Sequence, residues 1–161
     1  MRLVFDATPL IYLGKVRLLE KLKKLPVKNY IPKSVYHEVV EAGFESDDAA
    51  YVKELVKEAV FEIVEVTSLQ SLEYNPHLDD ADIDVLSYAK EKNIIAVIDE
   101  KAGRAAAEIE HIKNVGSVYI LFLLLKKKII SGSELKNALD KMIEHGWFCS
   151  TDLYAYILSK L

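Results

Sequence analysis

Four acidic residues stand at positions where acids are costly. Asp6 directly follows the apolar run Leu3-Val4-Phe5, and Asp99 directly follows Ile94-Ile95-Ala96-Val97-Ile98. A carboxylate at the end of a buried strand loses hydration unless something pairs with it. One such Asp reads equally well as a turn former or a helix cap; two facing the same sheet edge read as a site. Glu38 falls on the helical stripe of Val35, Val39 and Ala42, and Asp82 on that of Leu78, Val85, Leu86 and Ala89. Acids are rare on such stripes. Both also lie near the start of their helices, where the macrodipole favours negative charge, which is a purely structural reason for each. Their neighbours Glu41, Asp80 and Asp84 fall on the polar sides. Four carboxylates on one edge raise one another's pKa unless a cation neutralises them. Oxygen-only donors suit Mg²⁺ or Mn²⁺ rather than zinc. Such ions activate water and stabilise a phosphoryl group in transfer, so the chemistry implied is metal-assisted hydrolysis of a phosphate ester. Thr8 would orient Asp6 or a bound water, or simply cap the helix that follows.

The elements that must position these acids alternate between strand and helix. Arg2–Phe5 reads as a strand, followed by a helix with Thr8 as N-cap and Pro9 in its first turn. Short helical segments run on to Lys24 and close at Pro26. A strand over Asn29–Ile31 precedes a helix opened by Pro32 and ended at Gly43. Asp47-Asp48 caps a helix to about Ala59, and Phe61–Val66 is a third strand. Ser68–His77 reads as an irregular loop, Leu78–Lys92 as a helix, and Ile94–Ile98 as a strand buried on both faces. A helix over Lys101–Ile112, a short strand near Val115, the apolar Val118–Lys128 segment and helices over Ser133–His145 and Ser150–Lys160 complete the chain. The alternation predicts one α/β layer sandwich, a parallel five-stranded sheet with helices on both faces. Ligands of such sheets collect beyond the carboxyl ends of the strands, the edge on which Asp6 and Asp99 fall.

The chain has 161 residues, 51% of them hydrophobic and 29% charged, the balance of a globular protein with a core of its own. Its net charge of −4 announces no global field for nucleic acid. The distribution is uneven. Residues 1–37 carry eight Lys/Arg against two acids, residues 38–99 four against sixteen, and residues 100–161 nine against seven. A metal-holding acidic centre beside phosphate-binding flanks would produce this pattern, and so would solvated helix faces. A lone cysteine, Cys149, makes no internal disulfide, and the four histidines show no metal-ligand spacing. The longest apolar run is too short to span a bilayer. An acid as early as Asp6 argues against a signal peptide, so a cytoplasmic protein without a membrane anchor is expected. Phosphoacceptor and phosphatase chemistries on related sheets lack their acids: Phe61–Val66 ends in no Asp, and Thr8 occupies the place of a second Asp after Asp6. There is no Gly-rich phosphate loop or nucleotide fingerprint. The Tyr119–Leu125 segment reads as core, with a dimer seam as the alternative.

The stretches Phe5-Asp6-Ala7-Thr8-Pro9-Leu10-Ile11, Pro32–Val39, Leu78-Asp79-Asp80-Ala81-Asp82 and Val97–Arg104, in this order, make the chain resemble the PIN-domain family. The tail Gly146-Trp147-Phe148 with Leu153-Tyr154 and Ile157-Leu158 resembles a prokaryotic subgroup with an extra C-terminal helical pair. The resemblance implies one PIN-like domain over 1–161, with a core of about 1–128 and an extension of about 129–161. It also implies an Mg²⁺- or Mn²⁺-dependent ribonuclease, its metal held by Asp6, Glu38, Asp82 and Asp99. It further implies a toxin of a toxin–antitoxin pair, with an RNA substrate, an antitoxin partner and a homodimeric state. Lys101 and Arg104, just beyond Asp99, are candidate RNA-backbone contacts, as are Arg17, Lys21 and Lys24. The chain departs from the subgroup at Asp79–Asp82, where a glycine-containing stretch ending in Glu is usual, and this brings Glu100, Asp79 and Asp84 into question as further members of the site. The other class left open is a PIN-fold protein without activity that works through a partner interface.

Overall fold

Continuous aliphatic strands pair in the centre of the molecule. The computed structural model describes residues 1–42 and 46–161. Strands β1 (Arg2–Phe5), β2 (Lys28–Pro32), β3 (Phe61–Val64), β4 (Ile95–Val97) and β5 (Asn114–Val115) form a parallel sheet in the order β3-β2-β1-β4-β5. The chain's first strand is therefore its central one. Leu3 is in register with Asn29 on one side and Ile95 on the other. Successive side chains of a strand point to opposite faces, and Leu3, Val4 and Phe5 are all fully buried, so helices cover both faces. Phe5 meets Phe61 edge-on, with ring centroids 5.2 Å apart.

Around the sheet lie α1 (Ala7–Lys15), a 3-10 turn (Leu19–Lys24), α2 (Lys33–Tyr36), α3 (Asp47–Lys57), α4 (Gln70–Glu73), α5 (Asp80–Lys92), α6 (Lys101–Ile109), α7 (Ser117–Lys126), α8 (Gly132–Glu144) and α9 (Thr151–Leu158). Several boundaries depart from expectation. Asp6, not Thr8, occupies the N-cap position of α1. The α3 cap is Ser46, whose Oγ accepts from the Ala49 amide at 3.0 Å. β3 stops at Val64, and the Ser68–His77 segment contains the short helix α4. The helix opened by Pro32 widens into a π-turn over His37–Glu41. The expected stop of that helix at Gly43 lies outside the described residues.

The C-terminal pair packs by an ordinary amphipathic stripe. Leu135, Ala138, Leu139 and Met142 are the buried face of α8, a spacing that places them on one side of the helix. Ser131 and Glu134 cap its start reciprocally, Oγ accepting from the Glu134 amide at 3.1 Å and Oε2 from the Ser131 amide at 2.7 Å. Within α7, Ile120, Leu121 and Leu124 are fully buried. One face of the Tyr119–Leu125 segment is thus core, while Tyr119 is exposed and Phe122, Leu123 and Leu125 are half-buried. No helix among the described residues is long and apolar enough to cross a membrane.

Candidate active site

The carboxyl edge of the central strand places the first acid. The Asp6 amide donates to Val97 O at 3.1 Å, extending the β1–β4 ladder by one residue and locking the side chain at the start of α1. Asp6 is only 4% exposed. Burial above all, with the charge of Asp82 next, pushes its carboxyl up to about 8; the Ala7 amide opposes this and the charges of Glu38 and Asp79 add to it.

The second acid sits in a capping box. Asp79 Oδ1 accepts from the Asp82 amide at 2.9 Å, and Asp82 Oδ2 accepts from the Asp79 amide at 3.1 Å. One Asp82 oxygen is thereby fixed, while the other faces α6. A Cβ on Gly103 would lie 3.7 Å from Asp82 Oδ1 and only 2.9 Å from Ile98 Cγ2, so the glycine lets α6 close against β4 beside this carboxylate. Burial first raises the Asp82 carboxyl to about 6; the Asp79 amide lowers it, and Asp79, Glu100 and Glu38 raise it further.

Glu38 lies in the π-turn. The wider turn rotates the residues after it, so Val40 joins Val35 and Val39 in the core while Ala42 and Glu38 face solvent. The expected burial of Glu38 on the apolar stripe is therefore not what positions it. Its carboxyl is still raised, first by the partial loss of water at its inner side and then by the charges of Asp79 and Glu100. Glu100, at the N-cap position of α6, faces the same group, and the Thr8 hydroxyl donates to Glu100 Oε1 at 3.2 Å. Thr8 thus serves Glu100 rather than Asp6.

Asp99 is held elsewhere. Its Oδ1 accepts from the Ser117 amide at 2.7 Å, and its Oδ2 from the Ser117 hydroxyl at 2.6 Å and from Trp147 Nε1 at 3.0 Å. A Cβ on Gly116 would come within 2.9 Å of Asp99 Oδ1, so that glycine admits the carboxylate to the head of α7. Asp84 is also diverted, accepting from the hydroxyls of Ser34 at 2.5 Å and Ser68 at 3.2 Å. The structure thus brings Asp6, Glu38 and Asp82 together with Asp79 and Glu100, and it turns Asp99 towards the C-terminal segment.

Among the described residues none of these acids has a basic partner. The ion pairs there all engage other acids, such as Lys15 with Asp48 at 2.5 Å and Lys33 with Glu65 at 2.8 Å. A group of carboxylates that repel one another without a lysine or arginine is a donor set suited to a hard divalent cation. Among the described residues no three potential ligands converge tightly enough to enclose an ion by themselves.

Beside the acids opens a cleft of about 1170 Å³, lined among others by Thr8, Asp99, Glu100, Trp147 and Phe148. Lys101 and Arg104 also line it; both are exposed and make no ion pair among the described residues. Two of the other basic candidates are engaged: Arg17 lies 4.2 Å over the Tyr51 ring, and Lys21 pairs with Glu134 at 3.8 Å. Sequence reasoning missed Ser117 and Trp147. The capping spacing of Asp79 and Asp82 was a usable local signal, whereas nothing local marks a tryptophan that bonds 48 residues back.

Over residues 2–161 the chain matches the model of a family described as a PIN domain, and it belongs to that family. Members are generally nucleases and generally use divalent metals. The fold is similar to that of a PilT N-terminus domain protein from the hyperthermophilic archaeon Sulfolobus solfataricus P2, with a TM-score of 0.55 and 14% identity, over 78% of this chain and 94% of that one. It is similar also to a domain of a functionally unknown protein from Methanocaldococcus jannaschii, with a TM-score of 0.50 and 16% identity, over 71% of this chain and 89% of that one. No curated protein matches the chain.

Proposed function

We propose that the protein is a divalent-metal-dependent endoribonuclease whose site is built on Asp6, Asp82, Glu38 and Glu100. The observation that carries this reading is Asp6, 4% exposed at the carboxyl end of the central strand, with no ion pair among the described residues to neutralise it. Asp99 enters as the residue that ties the end of β4 to Ser117 and Trp147, and so fixes where Glu100 and α6 begin. Asp6 and Asp82, with Glu38 or Glu100, would hold Mg²⁺ or Mn²⁺, which would lower the pKa of a bound water and offset charge on the phosphate. The protein's own groups do the rest. Asp79 fixes the Asp82 carboxylate through the capping box, and Thr8 holds Glu100. In this reading Glu38, open to solvent, orients an attacking water, and the exposed Lys101 and Arg104 meet backbone phosphates.

The wider family reading adds a role as the toxin of a toxin–antitoxin pair, acting as a homodimer beside an antitoxin protein in the cytoplasm. Its support is the family resemblance, and sedimentation tests the dimer. The direct test of the activity is cleavage of single-stranded RNA with Mg²⁺ or Mn²⁺. Cleavage is expected to vanish in EDTA and in Asp6→Asn with the fold intact; cleavage that survives both overturns the proposal. A chain that binds RNA but never cuts it would be the non-catalytic member of the family.

A further inference from the structure

Phe148 is 78% exposed, whereas Trp147 beside it is 6% exposed and anchored to Asp99. The backbone at this point is thus pinned by the tryptophan while the phenyl ring projects into water. It lines the cleft that adjoins the acids, which Lys101 and Arg104 of α6 also line, without ion-pair partners among the described residues. Tyr119, 39% exposed, lines the same cleft. Glu108, one turn beyond Arg104, lines it too and disfavours a phosphate there, so the cationic track is short and begins at the acids. An exposed aromatic face next to a pair of cations is the combination that binds unpaired nucleotides, the base stacking and the backbone meeting positive charge. The cleft exceeds the roughly 300–1,000 Å³ typical of pockets for compact small molecules, which suits an extended strand.

We propose that this cleft seats the nucleotide adjoining the cleaved phosphate of a single-stranded nucleic acid, with its base stacked on Phe148 and its phosphates on Lys101 and Arg104. The proposal rests on the nuclease reading for the location of the cleaved bond, but the binding itself does not require cleavage. A duplex keeps its bases stacked on one another and offers Phe148 nothing, so the subsite selects single strands.

The test is binding of a fluorescein-labelled oligouridylate in EDTA at low salt, followed by anisotropy and by quenching of Trp147, the sole tryptophan of the chain. Phe148→Ala is expected to weaken binding by about fivefold or more, the fold-change that corresponds to ~1–3 kcal/mol per stacked base. Phe148→Tyr is expected to bind within about threefold of wild type, since it keeps the ring. Lys101→Gln with Arg104→Gln should flatten the salt dependence by about 0.7 for each phosphate left without its cation. Melting curves of each variant establish that the fold is intact. The proposal is overturned if wild type does not bind the oligomer or if Phe148→Ala binds like wild type. It is also overturned if the duplex binds as well as the single strand, or if the alanine variant only turns a dimer into a monomer. If Phe148→Ala loses binding while wild type cuts no RNA, the cleft stands and the nuclease reading falls. If Asp6→Asn abolishes cleavage while Phe148→Ala binds and cuts normally, the reverse holds.

Discussion

Replacing Asp6 by Asn keeps the shape of the side chain and removes its charge. In the metal-free protein the Asp6 carboxyl titrates near 8 when folded, against an ordinary value of 3.8. Between these values the native side chain stays protonated while the unfolded one is ionised. Stability is therefore present in full below about pH 4 and is lost as pH rises towards 8. At 1.36 kcal/mol per unit, the shift of about four units gives a ceiling of about 6 kcal/mol. Even a third of that, about 2 kcal/mol, moves Tm by roughly 4–8 °C in a chain of this size. In EDTA the Asn variant should melt at nearly the wild-type temperature at pH 4 and progressively above it up to pH 8, where the gap levels off. Urea or thermal melts of both proteins across this range measure the gap directly. Parallel profiles would refute the claim that burial among acids makes Asp6 costly to ionise.

Three other outcomes follow from the same geometry. Millimolar Mg²⁺ at pH 8 should raise the wild-type Tm, by about 2.7 kcal/mol of stability at a hundredfold excess over Kd, and should scarcely move Asp6→Asn; calorimetry checks both. Gly103→Ala drives a Cβ to 2.9 Å from the buried Ile98, so a loss of about 1–3 kcal/mol is expected in urea titrations, together with weaker Mg²⁺ binding as α6 is pushed from Asp82. Trp147→Phe removes the indole donor to Asp99 but leaves both Ser117 bonds, and it should cost about 1–2 kcal/mol in equilibrium unfolding.

Much of this arrangement was legible because it is local. The aliphatic run before Asp99 and the short one before Asp6 mark central parallel strands. The stripe of Val85, Leu86 and Ala89 is buried as its spacing predicts, and Asp82, one turn before it, is half-buried in the capping box. Glu38 was found for a reason that the fold does not uphold: a regular helix would place it with Val35 and Val39, but the π-turn changes the angular step there, and no residue type announces that widening. Asp99 and Glu100 are adjacent, and which of them faces the other acids depends on Ser117 and Trp147, partners far along the chain. Side-chain direction after a strand is decided by such tertiary bonds, beyond the reach of periodicity. The Lys101–Arg104 pair was visible as charge, whereas its neighbour Phe148 became visible only when its exposure was known.

Placing the first strand at the centre of the sheet has a consequence for synthesis. β1 is made before both of its neighbours, and one of its two flanks stays empty until β4, some ninety residues later, has emerged. Trp147, which secures Asp99, comes later still. A nascent chain that has not yet reached β4 therefore carries Asp6, Glu38 and Asp82 without the strand that sets Glu100 beside them.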